Sequence, residues 1–231
     1  MKEEFEKNGY FAIKQAISPE EVKTLINETA IFENQEKNYG VRDLLNKCPY
    51  IRKLLNSKFI RKLVEEMLGK KAFPVRAIFF DKVPSANWNV PWHQDTSIAI
   101  KKKEEMAGFK LWRIKEGIAY VEPPEHYLRN MLTLRIHLDQ TTTNNGALRI
   151  LPGTHLKGRL NSKDILSLVE TMKPLASESA AGDILLMRPL LLHSSRKALN
   201  PSHRRIIHLE FSAMALPSPL EWYEPDIVGQ P

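Results

Sequence analysis

Cysteine is almost absent from this chain: its 231 residues include one, Cys48. A single thiol excludes an intrachain disulfide framework and any cysteine-rich zinc module, and it fits a reducing compartment. Long apolar runs are missing too. The first residues, MKEEFEKNGYFAI, carry charges where a secretory signal needs an apolar core, and no later stretch approaches the length of a membrane span. The expectation is a cytoplasmic protein with no membrane partner. Repeats and low-complexity segments are absent. Acidic residues are in deficit, 27 Asp and Glu against 34 Lys and Arg, for a net charge of +7 and a pI near 9.4. That balance favours anionic partners, but the basic residues are dispersed, which argues against nucleic acid. Arg52, Lys53, Lys58, Arg61, Lys62, Lys70 and Lys71 fall in a helical stretch and read as solvated faces. Lys101, Lys102 and Lys103 read either as a solvated loop or as a steering element for an anionic substrate.

What is present is ordinary globular material, 42% hydrophobic and 26% charged, which suffices for a substantial core. The length suits one domain. We divide it into a helical part over 1–72, a barrel over 73–215 with an excursion at 101–130, and a C-terminal tail over 216–231. Ser18-Pro19-Glu20-Glu21 combines an N-cap, a proline at the first helical position and a capping-box carboxylate, followed by the apolar stripe Val22, Leu25 and Ile26. A second helical stretch from about Arg42 to Leu68, interrupted near Pro49, ends at Gly69. From about Phe73 the pattern becomes short β-like runs, VRAIFFDKV, MLTLRIHLD, ALRILPG, DILLMRPLLLHSS and RRIIHLEFSA. Helices first and strands afterwards predict an α+β, mainly β fold in which the helices cover one face of an antiparallel barrel or two-sheet sandwich.

Two runs alternate strictly. Thr133, Arg135, His137 and Asp139 share one face and Leu132, Leu134, Ile136 and Leu138 the other; Arg204, Ile206, His208 and Glu210 likewise alternate with Arg205, Ile207, Leu209 and Phe211. The polar face either meets solvent or, if helices cover the apolar side, lines the interior, where charge is costly unless it binds a metal or charged ligand.

His93-Gln94-Asp95, within NVPWHQDTS, presents an imidazole and a carboxylate on one side of a strand. Seven histidines and seven aspartates produce such a pair by chance in about one chain in five of this composition, and His137-Leu138-Asp139 is a second one. A third ligand would be a histidine near the end of another strand. His193 qualifies, closing the apolar run ILLMRPLLL that Pro189 interrupts with an edge or bulge. His93, Asp95 and His193 together would form the two-histidine, one-carboxylate facial triad of non-haem ferrous oxygenases, with positions open for dioxygen and a chelating cosubstrate. A dicarboxylate cosubstrate needs a cation at its far end, for which Arg204 on the polar face suits better than Arg205 among apolar neighbours.

WHQD, NNGALRILPGTH (residues 144–155) and GDILLMRPLLLHSS, in that order, resemble the phytanoyl-CoA dioxygenase-like family of Fe(II)- and 2-oxoglutarate-dependent oxygenases over about residues 73–212. The resemblance implies a double-stranded β-helix, a jelly-roll or cupin-like barrel with the N-terminal helices packed on one sheet. It implies iron ligation by His93, Asp95 and His193, and a 2-oxoglutarate carboxylate anchored by Arg204 with help from Ser195. His137 and Asp139 become wall or network residues, Thr133 and Arg135 candidate contacts to cosubstrate or substrate, and His155 a structural part of the turn signature. Trp88, Trp92, Gln94, Thr96 and His137 are candidate substrate-pocket residues. The implied reaction consumes dioxygen, splits 2-oxoglutarate to succinate and carbon dioxide, and hydroxylates a small organic substrate. Related halogenases lack the carboxylate ligand to make room for halide, so Asp95 favours hydroxylation. Two other readings stay open: a metal-dependent barrel enzyme without 2-oxoglutarate, and a non-catalytic barrel binding an anionic ligand or nucleic acid.

Overall fold

The computed structural model describes residues 1–32 and 40–224; the end of the C-terminal tail, 225–231, lies outside the described residues. The N-terminal part holds α1 (Lys2–Asn8), a strand β1 (Tyr10–Ile13), α2 (Pro19–Thr29), α3 (Leu44–Lys47), α4 (Pro49–Leu55) and α5 (Lys58–Leu68). The capping box at Ser18 is formed as its sequence requires, the Ser18 hydroxyl accepting from the Glu21 N–H while Glu21 reaches back to the Ser18 N–H. Pro49 breaks the second helical stretch and Ser57 restarts it as an N-cap, and Gly69 ends it at φ 94°.

The strands that follow are β2 (Phe73–Asp81), β3 (Val90–His93), β4 (Ile98–Ile100), β5 (Lys110–Lys115) and β6 (Ile118–Glu122). After α6 (Glu125–Arg129) come β7 (Met131–His137) and β8 (Leu148–Ile150), and after α7 (Ser162–Thr171) come β9 (Leu175–Ser177), β10 (Ile184–Met187), β11 (His193–Ser195) and β12 (Arg205–Ser212). They form three sheets: a five-stranded one in the order β1-β10-β7-β12-β2, a four-stranded one in the order β3-β11-β8-β9, and a three-stranded one in the order β4-β6-β5. Every strand pair is antiparallel. The architecture is the mainly antiparallel jelly-roll arrangement, built as facing sheets and not as a closed barrel.

The five-stranded sheet explains why two strands alternate so strictly. Leu132, Leu134 and Ile136 of β7, with Ile207, Leu209 and Phe211 of β12, pack against Leu25, Leu44, Ile51, Ile60 and Leu63 from the helices. Their polar neighbours therefore point inward, toward the four-stranded sheet. There Leu148 and Ile150 of β8 meet Leu185 and Met187 of β10 and close one end of the sandwich.

Two sequence expectations need correction, and the role of a third segment becomes clearer. DILLMRPLLLHSS is two strands in different sheets, because Pro189 has no N–H for a ladder and the chain crosses between sheets at Arg188–Leu192. Strand β7 stops at His137, so Asp139 leaves the inner face and binds Arg205 at 2.8 Å instead. The excursion at 101–130 is largely folded: β5 and β6 join β4, and Ile98, Ile100, Val121 and Leu128 share a core with Trp222. Within the C-terminal tail, Glu224 is buried and accepts from the Leu45 and Ala77 N–H groups at 2.9 and 2.7 Å. Among the described residues no helix is long and apolar enough to cross a membrane.

Leu134 is fully buried between the helices and the sheet. Leu134→Ala should lower the unfolding free energy by about 2–5 kcal/mol, read as a lower urea midpoint at unchanged m-value.

Candidate active site

His93 at the end of β3 and His193 at the start of β11 are directly opposed across the antiparallel pair, with ring centroids 4.2 Å apart. The register of this pair shifts immediately after His193, a bulge that separates the histidine from Ser195. Asp95 lies two residues beyond β3, where its N–H donates to the carbonyl of Pro189 at 2.8 Å. The crossover between sheets thus fixes the carboxylate beside the second histidine. Asp95 Oδ1 is 3.7 Å from His93 Nε2 and Oδ2 is 3.8 Å from His193 Nε2. One ligand atom from each of the three residues lies within 4.8 Å of the others.

Hydrogen bonding fixes both tautomers. His93 Nδ1 faces the Pro91 carbonyl at 2.9 Å and His193 Nδ1 the Leu191 carbonyl at 2.8 Å. A carbonyl only accepts, so Nδ1 carries the proton in each ring and the Nε2 lone pair points at Asp95. Burial, and then the neighbouring His93, lower His193 to about 4, so it is neutral at pH 7 and able to ligate. Burial works to raise the Asp95 carboxyl, but His193 and His93 outweigh it and hold the group well below the usual carboxylate range. Asp95 Oδ2 is buried without a hydrogen-bond partner. An ionised oxygen left so is costly in an apolar interior, whereas a divalent cation between it and the two Nε2 atoms would satisfy all three. The residues present fit iron.

The triad opens into a cavity of about 550 Å³ between the two larger sheets. Its polar wall is cationic. Arg42, Lys82, Lys115, Arg135 and Arg204 line it, and Asp95 is the one carboxylate among the lining residues. Arg204 is buried at 3% exposure; its Nη1 donates to the Gly146 carbonyl at 2.7 Å while its Nε has no partner. Burial and then Arg135 lower it to about 9, still cationic at pH 7. Arg135 is held from behind. It donates through Nη1 to His208 Nδ1 at 2.9 Å, which leaves His208 Nε2–H to donate to Glu210 at 3.0 Å, and Glu210 pairs with Arg76. Arg135 Nε is likewise unpartnered.

Gly146, in the Asn-rich turn, joins these parts. Its carbonyl accepts from the Ser195 hydroxyl at 2.8 Å as well as from Arg204. Its φ is +86°, and a Cβ there would stand 2.7 Å from the Arg196 carbonyl and 3.0 Å from Lys82 Nζ. Only glycine fits that conformation and that space.

Of the residues expected at the site, His93, Asp95, His193, Ser195, Arg204, Arg135 and Trp88 come together around the cavity. Arg205 turns outward to Asp139, so the two adjacent arginines divide between faces as the alternation predicts. Thr133 and His137 are buried on the same inner face without lining the cavity; His137 Nδ1 contacts the Thr141 hydroxyl at 2.9 Å. Trp92, Gln94 and Thr96 point elsewhere. Trp92 lies under the Arg149 guanidinium, Gln94 binds the Gly158 and Leu190 carbonyls and the Leu160 N–H, and Thr96 donates to Glu122. His155 bonds the Glu6 carbonyl, a structural contact. Lys101 pairs with Glu221 and Lys102 with Glu104, away from the cavity; the excursion contributes Lys115 instead. Lys82, His208, Phe80 and Arg42 are cavity residues that sequence reading missed. For Lys82 a signal existed, a lysine inside the run VRAIFFDKV. Arg42 is brought to the mouth by tertiary packing alone.

No curated protein matches the chain in sequence. Solved structures do match in fold. EctD from S. alaskensis, with 2-oxoglutarate and 5-hydroxyectoine, superposes with a TM-score of 0.73 at 16% identity over 99% of this chain and 83% of that one. HygX from Streptomyces hygroscopicus, with nickel and 2-oxoglutarate bound, gives 0.67 at 14% identity over 92% and 86%. AviO1 from Streptomyces viridochromogenes Tue57 gives 0.66 at 20% identity over 93% and 94%. The model of the phytanoyl-CoA dioxygenase family, PhyH, matches residues 5–206. The chain therefore belongs to the phytanoyl-CoA dioxygenase family and is a non-haem iron, 2-oxoglutarate-dependent dioxygenase.

Proposed function

We propose that the chain hydroxylates a small anionic organic substrate, with His93, Asp95 and His193 as the iron ligands and Arg204 as the anchor for the far carboxylate of 2-oxoglutarate. The observation that carries this reading is the buried, unpartnered Asp95 oxygen facing two Nε2 atoms, on the wall of a cavity that is otherwise cationic. Iron bound there, with 2-oxoglutarate and dioxygen, would supply the oxidising power that splits the cosubstrate to succinate and carbon dioxide and hydroxylates a C–H bond.

The chain's own residues do the positioning. Pro91 and Leu191 carbonyls hold the two imidazoles in the ligating tautomer. The Arg204 guanidinium, fixed through Nη1 by the Gly146 carbonyl, lines the cavity as a cation suited to a carboxylate. Phe80, Trp88, Pro91 and Leu148 form apolar wall that keeps water from the reacting centre. Related halogenases lack the carboxylate ligand, so the presence of Asp95 supports hydroxylation.

Charge supports an anionic substrate. A ferrous ion and a 2-oxoglutarate dianion would cancel one another, which leaves five cations against one carboxylate, Asp95, among the described lining residues, with Glu116 2.6 Å from Arg42. Net positive charge is left for the substrate.

Anaerobic addition of Fe(II) and then 2-oxoglutarate should produce a metal-to-ligand charge-transfer band; its absence in the wild type would refute the reading. Arg204→Ala should lose the band at 2-oxoglutarate concentrations that saturate the wild type, while Arg205→Ala keeps it. His193→Ala and Asp95→Ala should each reduce bound iron from one equivalent to near none, measured by metal analysis after desalting. Gly146→Ala, which forces its Cβ against the Arg196 carbonyl, should weaken 2-oxoglutarate binding by about tenfold or more while iron binding persists.

A further inference from the structure

Lys82 follows β2 directly and is 0% exposed. Two of its three ammonium protons are used, toward the Ser195 hydroxyl at 2.7 Å and the Arg196 carbonyl at 2.6 Å, and its charge lies 5.5 Å from the centre of the Trp88 ring. No carboxylate among the described residues pairs with it. Its neighbours in charge are Arg204 and Arg135, both cations. A buried ammonium beside two guanidinium groups destabilises the empty fold, and a methionine would fill the same space without that cost. Such an arrangement is useful only if an anion enters it.

We propose that Lys82 is a second cationic anchor for the far carboxylate of 2-oxoglutarate, shared with Arg204. The inference rests on the 2-oxoglutarate reading of the cavity. Ser195 and Arg204 both donate to the Gly146 carbonyl, and Lys82 donates to Ser195, so two cations are tied to one point of the wall. A carboxylate has about four lone-pair sites, enough to accept from the Arg204 guanidinium and the Lys82 ammonium together, and both residues line the cavity. Sequence alone assigned Arg204 this task with Ser195 as helper. In the structure the Ser195 hydroxyl proton is committed to Gly146, and Lys82 is the donor beside it.

Charge linkage supplies a second signature. With no anion present, burial, then Arg204 and Arg135, lower Lys82 to about 7. The other groups facing it, the Ser195 hydroxyl, the Arg196 carbonyl and Trp88, are uncharged. A carboxylate placed beside it favours the ammonium, so binding above pH 7 takes up a proton.

The test uses Mn(II)-loaded full-length protein and calorimetry with two probes, 2-oxoglutarate and 2-oxopentanoate, which lacks the far carboxylate. Lys82→Met should weaken 2-oxoglutarate binding by about ten- to a hundredfold and change 2-oxopentanoate binding less than about twofold. Lys82→Arg should retain most of the 2-oxoglutarate affinity. In two buffers of different ionisation heat at pH 8, the wild type should take up a proton on binding 2-oxoglutarate and Lys82→Met should not. Equal loss of both keto acids would show a structural role and overturn the proposal, as would unchanged 2-oxoglutarate binding in Lys82→Met. Failure of the wild type to bind 2-oxoglutarate at all would instead overturn the reading on which the proposal rests.

Discussion

Charge buried on the inner face of the five-stranded sheet must find a partner, and the site follows from how that requirement is met and where it is not. The helices cover the outer face with leucine and isoleucine, so β7 and β12 have no solvent for their polar side chains. Most of those groups satisfy one another. Arg76, Glu210, His208 and Arg135 form a chain across β2, β12 and β7, each group accepting from or donating to the next. The chain ends at Arg135, whose Nε is free. Among the described residues Thr133 Oγ1, Arg135 Nε, His137 Nε2, Arg204 Nε and Asp95 Oδ2 stay buried without a partner, and of these residues Arg135, Arg204 and Asp95 line the cavity, where desolvation of an unpaired ion costs on the order of several kcal/mol.

Two backbone features bring the leftover groups to one place. Pro189 cannot continue a ladder, the chain changes sheets there, and the carbonyl freed by the crossing holds Asp95 against His193. On the other side of the cavity Gly146 provides a carbonyl for both Ser195 and Arg204, and the missing side chain leaves room for Lys82. The Asn-rich turn thus positions Arg204 and Ser195, while the crossover positions Asp95 beside His193.

The cavity wall also draws on remote parts of the chain. Arg42 comes from the segment before α3 and Lys115 from the tip of the β5–β6 hairpin, which the Arg42–Glu116 ion pair ties down. Strand β6 of that hairpin packs into a small core with Trp222, while β5, which carries Lys115, is mostly exposed.

Much was legible before the structure. Alternation in MLTLRIHLD and RRIIHLEFS placed the apolar face under the helices and separated Arg204 from Arg205, because a strand has a period of two and its neighbours cannot share a face. Ordered motifs brought His93, Asp95, His193 and Arg204 together, and Ser18 and Gly69 bounded their helices. Flanking position in sequence was a poor guide to the cavity wall. Trp92, Gln94 and Thr96 sit next to His93 and Asp95 in the chain, yet alternation and the end of β3 at His93 send them to other partners. Asp139 followed the strand period only as far as the strand lasted. The sequence by itself determined which side of each strand is polar and which residues can ligate, since both depend on local periodicity and side-chain chemistry. Tertiary structure alone decided that Lys82, Arg135 and Arg204 share one cavity wall, because that depends on which strands become neighbours and which carbonyls are left to hold them.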